Sequence, residues 1–184
     1  MLKRILLSLS VLMMAPLAAQ AADPFKYTYL EGGYASVNPS GGGSSLTGFE
    51  VDGSYALNPD WHGFGGYQHV SCCGVSQNDF NVGVGWNTNL ADNLDLYING
   101  GFLSIDQTGP GTHTGWEAEA GLRAALAEHF ELDGFANHSD VNSQTENTLG
   151  VRGLYGIDMY WHLFASYSNN SDEDTFMVGV RYVF

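Results

Sequence analysis

The last ten residues of the chain alternate strictly: Phe176, Val178, Val180, Tyr182 and Phe184 stand two apart. Phe80, Val82, Val84 and Trp86 repeat the pattern, as do Phe49, Val51, Gly53 and Tyr55, and Trp161, Leu163, Ala165 and Tyr167. A period of two means β-strand, because successive side chains leave a strand on opposite faces. Here one face is apolar with an aromatic ring at each end, and the other is polar or tiny. A strand that crosses lipid needs this arrangement, with rings at the two interfaces and aliphatic residues between them.

Ten strands are predicted, over 25–37, 46–57, 61–70, 79–88, 94–105, 114–126, 130–139, 146–155, 160–168 and 175–184. Their connections alternate in character. Those at Asn58-Pro59-Asp60, Asn89 to Asn93, Ala127-Glu128-His129 and Gly156 to Met159 are short. Asn38 to Ser45, Ser71 to Asn78, Asp106 to His113, Asp140 to Thr145 and Asn169 to Asp174 read as longer, polar connections. Outer-membrane barrels have short periplasmic turns and longer extracellular loops, and an even strand number returns both termini to one side. The fold expected is all-β, a transmembrane antiparallel up-and-down barrel of about ten strands, with eight as the alternative. A soluble sandwich would turn the aromatic faces inward and leave the paired ring positions without a reason. The orientation expected puts Phe49, Phe80, Trp116 and Phe176 in one girdle, and Tyr55, Trp86, Trp161 and Tyr182 in the other.

Residues 1–21 read as a secretory signal. Lys3 and Arg4 precede an apolar run from Ile5 to Ala15, and Ala19-Gln20-Ala21 is a small-x-small cleavage site. Residues 22–184 then form one barrel domain. The chain carries a net charge of −14, and cleavage removes two of its few cations, leaving Lys26, Arg123, Arg152 and Arg181. Such acidity excludes a nucleic-acid surface. The slightly negative mean hydropathy suits a barrel, whose lipid-facing and lumen-facing residues cancel.

If the rings face lipid, Glu31, Glu50, Asp52, Asp95, Glu117, Glu119, Arg123, Glu131, Asp133, Arg152 and Arg181 face the lumen. A charge facing hydrocarbon near the midplane costs a few kcal/mol, which fixes them inward. Each Arg is expected to pair with a carboxylate, with Glu117 or Glu119 as the partner of Arg123. Acids outnumber arginines, so the rest must meet water or protons. The lumen is then either a core plugged by side chains and water, since small barrels are just wide enough to fill, or a narrow cation-preferring pore.

No cofactor or metal is expected. Cys72 and Cys73 are adjacent; they read as loop thiols or a bridge between neighbours, and with His69 they lack a fourth ligand for a soft metal. The acidic stretch from Asn169 to Asp174 does not have the spacing of a calcium loop. For an enzyme, a lipid-modifying or proteolytic one, the most suggestive group is His138-Ser139-Asp140. Neighbours on a strand point to opposite faces, however, so His138 and Ser139 are poorly placed to share a proton.

Tyr182-Val183-Phe184 ends the chain as the C-terminal signal of bacterial barrel proteins does. Tyr27-Thr28-Tyr29-Leu30-Glu31-Gly32-Gly33-Tyr34, Phe64-Gly65-Gly66-Tyr67, Val82-Gly83-Val84-Gly85-Trp86 and Glu117 to Arg123 carry a wider likeness. By these residues the chain resembles the small outer-membrane β-barrels of the OmpA/OmpX/Ail-like superfamily. It is similar, more narrowly, to the small quorum-signal-regulated barrels once proposed as activators of plant immunity. The Cys72-Cys73 pair is not part of that pattern. The resemblance implies an integral outer-membrane location, with membrane lipid and lipopolysaccharide around the barrel. It also implies that the outer-membrane assembly machinery reads the last strand through Tyr182 and Phe184. It carries no catalytic residues. The role expected is structural or surface-interacting, with the channel and the enzyme as alternatives and any surface partner unidentified.

Overall fold

The structure, a computed structural model, describes residues 25–184. The expected signal segment lies outside the described residues. Ten strands form: β1 Tyr29–Pro39, β2 Leu46–Ala56, β3 Trp61–Cys72, β4 Val75–Ala91, β5 Leu94–Gln107, β6 Gly111–Ala127, β7 Phe130–Val141, β8 Gln144–Gly156, β9 Trp161–Asn169 and β10 Glu173–Val183. Each pairs antiparallel with its sequence neighbours, and β1 pairs with β10 from Tyr29↔Val183 to Pro39↔Glu173, closing the barrel. Closure leaves no unpaired strand edge, which a lipid solvent demands.

The apolar set of the alternation is the exposed one. Tyr34, Phe49, Tyr67, Phe80, Phe102, Trp116, Tyr167 and Phe176 ring the end away from the termini. Register places Phe49 opposite Tyr34, Phe80 opposite Tyr67, Trp116 opposite Phe102 and Phe176 opposite Tyr167. At the end that carries the termini, Trp61 pairs with Trp86 and Trp161 with Tyr182, and Tyr55 and Tyr155 are outward too. Val51, Val82, Val84, Val151, Leu163 and Val180 are exposed between the two girdles.

The polar connections are shorter than the sequence suggests. β3 and β4 are joined by Cys73-Gly74 alone, and β7 and β8 by Asn142-Ser143. Cys73 (φ 58°) with Gly74 (φ 86°), and Asn142 (φ 54°) with Ser143 (φ 64°), have positive φ at both central residues. That is the two-residue hairpin geometry whose twist matches the strands it joins. Polar segments expected to be loops are instead paired ladders beyond the girdle. Gln107 Nε2 donates to Gln77 Oε1 at 2.7 Å, and Thr112 Oγ1 to Asp106 Oδ1 at 2.9 Å. The β1–β2 connection, 40–45, is the long one at this tip end. Its Gly41, Gly42 and Gly43 meet no neighbouring atom in the space where a Cβ would stand.

At the turn end, Asn58 Oδ1 accepts the N–H groups of Asp60 and Trp61. Asp158 Oδ1 does the same for Tyr160 and Trp161, which holds its carboxyl below the usual carboxylate range. Bulges interrupt β4 between Asn89 and Ala91 and β6 between Ala125 and Ala127. Each leaves an extra leucine, Leu90 or Leu126, exposed.

Inward glycines face each other across two seams. Gly33 pairs with Gly179, and Gly83 with Gly101. The Phe164 ring lies over Gly179, and the Phe64 ring over Gly83 and Gly101. Side chains at these positions would collide with neighbouring backbone, so glycine lets the strands curve tightly enough to close.

Candidate functional site in the barrel lumen

The eleven charged residues assigned to the lumen by alternation all lie on inward-facing positions. They share the interior with a cavity of about 380 Å³ that runs from Tyr27 and Arg123 near the turn end to Glu146 and Glu173 near the tips. The two halves differ in electrostatics.

All three arginines lie in the turn-end half. Glu31 on β1 is 2 % exposed. It accepts Arg181 Nε and Nη2 at Oε2, both at 2.6 Å, and Arg152 Nη1 at Oε1, at 2.7 Å. Arg181 is its register partner on the adjacent β10. Arg152 reaches it from β8, three strands away around the wall, so this ion pair crosses the lumen. Arg123 makes a two-pronged pair with Glu131 of β7, Nε to Oε1 at 2.7 Å and Nη2 to Oε2 at 3.1 Å. Such forked pairs suit a narrow interior.

The expected pairing of Arg123 with Glu117 or Glu119 is therefore corrected. Four residues along a strand span about 13 Å, too far for a direct contact, whereas the neighbouring strand brings Glu131 alongside. Glu117 instead accepts from Asn81 (3.0 Å) and Asn137 (3.4 Å), and Glu119 from Asn99 (3.2 Å). Glu50 accepts Gln68 Nε2 at 2.6 Å. Asp95 accepts the Tyr27 hydroxyl at 2.6 Å, and Asp133 the Tyr97 hydroxyl at 3.2 Å.

The first expected strand is also corrected. Residues 25–28 are not strand; they fold into the barrel mouth. Phe25 is 2 % exposed, and Tyr27 stacks on His62 with ring centres 4.5 Å apart. The Arg123 guanidinium lies over both rings, 4.7 Å from Tyr27 and 5.3 Å from Phe25, and Arg181 lies 3.9 Å from the Tyr29 ring. Aromatic faces attract cations held out of water, so these contacts hold the segment in the turn-end mouth. Phe25, Tyr27 and Tyr29 share the alternation of Glu31, a signal in the sequence that could have found them but that the aromatic rule overrode.

The tip-end half holds Glu50, Asp79, Glu117, Glu146 and Glu173 with no Lys or Arg among the described residues. Glu173 lies where the sequence was read as loop, and longer pairing brings it into the wall; Asp79 and Glu146 open the expected strands 79–88 and 146–155 and are lumen charges that the sequence reading missed.

Cys72 and Cys73 are disulfide-bonded at the β3–β4 tip. His69 is turned instead to Asn78, Nδ1 to Oδ1 at 2.8 Å. Among the described residues no three His, Cys, Asp or Glu side chains are grouped to hold a metal. His138 faces out, bonded to Asn147 at 2.8 Å and against the Trp116 ring, while Ser139 lines the lumen. The pair is thus split between the two faces. Phe184 is exposed and packs edge-on against Tyr182, with ring centres 5.0 Å apart.

A profile of the outer membrane protein beta-barrel domain matches residues 7–149, stopping short of β9 and β10. No curated protein matches the chain. Among solved structures, KdgM porin is similar at 15 % identity, with 85 % of this chain and 99 % of that chain covered and a TM-score of 0.52. KdgM porin in complex with disordered oligogalacturonate gives the same identity and coverage and a TM-score of 0.51. The Yersinia pestis outer membrane protein Ail in a phospholipid bilayer nanodisc is 17 % identical, over 87 % of this chain and all of that one, at a TM-score of 0.46. Likeness at this level of identity is a likeness of fold.

Proposed function

Because this chain belongs to the outer membrane protein beta-barrel domain family, we propose that it serves the outer membrane as a structural, surface-exposed barrel without catalysis, its lumen closed at the periplasmic end. The carrying observation is the Arg152–Glu31–Arg181 bridge across the lumen, with Phe25 and Tyr27 packed against Arg123 in the turn-end mouth. His138 and Ser139, on opposite faces, support the absence of catalysis. Among the described residues, the tip-end lumen offers an acidic sugar such as the oligogalacturonate found with KdgM porin no cation to pair with. The surface role rests on the ring of hairpin tips, since the connections there are short.

A second reading, a narrow cation-preferring channel, is favoured by the same acidic tip end. Recording from the pure protein in a planar lipid bilayer separates the two. A silent bilayer is expected. Discrete current steps whose reversal potential follows the cation gradient would replace the closed barrel with the channel.

Export and assembly belong to this proposal. A cleaved signal over residues 1–21 delivers the chain, lipid and lipopolysaccharide surround the outward face, and the assembly machinery reads Tyr182 and Phe184. Deleting Phe184 is expected to strand exported protein in the periplasm, as seen by fractionation and blotting. Normal outer-membrane yield from that deletion would count against the signal.

A further inference from the structure

His62 of β3 is 3 % exposed, and both of its ring nitrogens face acceptors. Nδ1 lies 3.3 Å from Asn87 Oδ1, and Nε2 lies 3.0 Å from Asn99 Oδ1. The second contact crosses β4. Register aligns His62, Gly85 and Asn99 on β3, β4 and β5, and the imidazole meets the amide in the space that a Cβ on Gly85 would occupy. Each amide is pinned from its other end. Asn87 Nδ2 donates to the Pro59 carbonyl at 3.1 Å, and Asn99 Nδ2 to Glu119 Oε1 at 3.2 Å. Turning either amide over would set its oxygen against another oxygen, so both amide oxygens stay on His62. A neutral imidazole has one N–H and an imidazolium has two. Neutral His62 therefore leaves one nitrogen lone pair against an amide oxygen, and a proton turns that contact into a hydrogen bond.

The ring also carries Tyr27, with centres 4.5 Å and planes 23° apart. Tyr27 belongs to the segment 25–28, which side chains hold in the turn-end mouth. Its hydroxyl donates to Asp95 at 2.6 Å, Ser54 Oγ donates to its carbonyl at 2.7 Å, and Arg123 Nη1 donates to the Lys26 carbonyl at 3.4 Å. The charged groups around His62 are Asp95 on β5, Glu119 behind Asn99, Arg123 on β6 and its partner Glu131 on β7. Asp95 and Glu119 favour a charge on the ring; Arg123 opposes it, and Glu131 offsets Arg123. From β2 and β4 the ring and Tyr27 meet only the neutral Ser54, Gly85 and Asn87.

We propose that His62 is a proton-operated latch: taking up a proton locks segment 25–28 into the turn-end mouth, and losing it loosens the segment. The proton completes the second amide bond, which fixes the ring, and it sets a cation against the face of Tyr27, which draws the two together. His62, Asn99 and Glu119 all line the lumen cavity, the route by which the proton arrives. The sign follows from linkage. The seated form binds the proton more tightly, so seating strengthens as pH falls through the histidine range, about pH 8 to 5, and weakens as pH rises. The proposal deepens the closed-barrel reading and rests on it for one consequence, that a seated segment closes the periplasmic end.

The test is NMR of the mature barrel in detergent micelles. Lys26 is the single lysine of residues 22–184, so lysine labelled with carbon-13 at its carbonyl gives one signal, from the group that Arg123 bonds. Nitrogen-15 histidine reads the rings, and the His62 signals are those lost in His62→Gln. Going from pH 8 to pH 5, His62 is expected to pass from one N–H to two. The ratio of seated to free Lys26 signal is expected to rise about tenfold with it, the worth of one charge-assisted contact. In His62→Gln the Lys26 signal is expected to ignore pH. Heat-modifiable gel migration shows whether that variant folds. If it does not, Tyr27→Leu assigns and decides, since reciprocity requires it to move the His62 titration about one unit lower. A His62 that keeps one N–H, or two, across the whole range overturns the latch. So does a Lys26 signal indifferent to His62, a pH response that survives in His62→Gln, or a titration that Tyr27→Leu leaves in place. Conductance is recorded separately in the bilayer, so current through a barrel with its segment seated would fail the closed-barrel reading alone.

Discussion

Glu31→Gln is expected to lower the unfolding free energy of the barrel by about 3–5 kcal/mol, the usual cost of removing one partner of a buried ion pair. The reason is geometric. Glu31 is the single carboxylate that both Arg152 and Arg181 grip, and it is itself almost inaccessible to water. Without its charge, two guanidinium groups lose the carboxylate that both of them bond, and keep Tyr29 and Phe164 against them. Arg152 is the one that crosses the lumen, so its release also widens the turn-end passage. Urea unfolding in liposomes, followed by tryptophan fluorescence, gives the first quantity, and bilayer recording the second. A loss below about 1 kcal/mol would show a lumen wet enough to screen the charges as a protein surface does, and the channel reading would gain.

A larger effect is expected from a side chain placed at the glycine seams. In Gly33→Val the new Cβ would stand 2.5 Å from the Val178 carbonyl oxygen and 3.1 Å from Gly179 Cα. In Gly83→Val it would meet the Gly100 carbonyl oxygen, with Gly101 Cα 2.8 Å away and the Phe64 ring 2.6 Å away. The obstruction is mostly backbone of a paired strand, which moves only by opening the ladder. A loss above about 4 kcal/mol is expected for either, in the range reserved for strain and overpacking, so the folded band on an unheated gel should be largely absent. Gly63→Ala is the control. Its nearest atom would be the Gly83 oxygen at 3.9 Å, and a change within about 0.5 kcal/mol is expected. Wild-type folding of both valine variants would mean the wall relaxes where it is drawn tight.

These two cases mark where sequence reading succeeds and where it stops. Strand number, the lipid face and the inward placement of Glu31, Asp133 and the arginines were legible, because hydrocarbon permits only one face of each strand to carry charge. The partner of Arg123 was not, since it depends on how far β7 slides against β6, and a single strand says nothing about its neighbour's register. The tips were misread because Gly, Ser and Asn signal loops in water, while here the same residues extend paired strands. In the dipeptides Cys73-Gly74 and Asn142-Ser143 the clue was one residue each, Gly74 and Asn142, of a type that readily accepts positive φ. The glycine seams were visible only as an abundance of glycine. Which ones face each other requires the closed wall. Phe25 and Tyr27 were hidden by the rule that worked elsewhere, that aromatics mark the lipid face.

The shape of the tips has a consequence for how this surface can change over generations or by design. At Cys73-Gly74 and Asn142-Ser143 an added residue would unzip the ladder on both sides, so length there is fixed. At 40–45 the chain already leaves the ladder, and a side chain at any of its three glycines would point into open space. Insertions are tolerated where backbone is free of both burial and pairing. A peptide epitope spliced between Gly42 and Gly43 should therefore be displayed on intact cells, which makes this corner the natural place for the barrel to acquire new recognition or to be turned into a display scaffold.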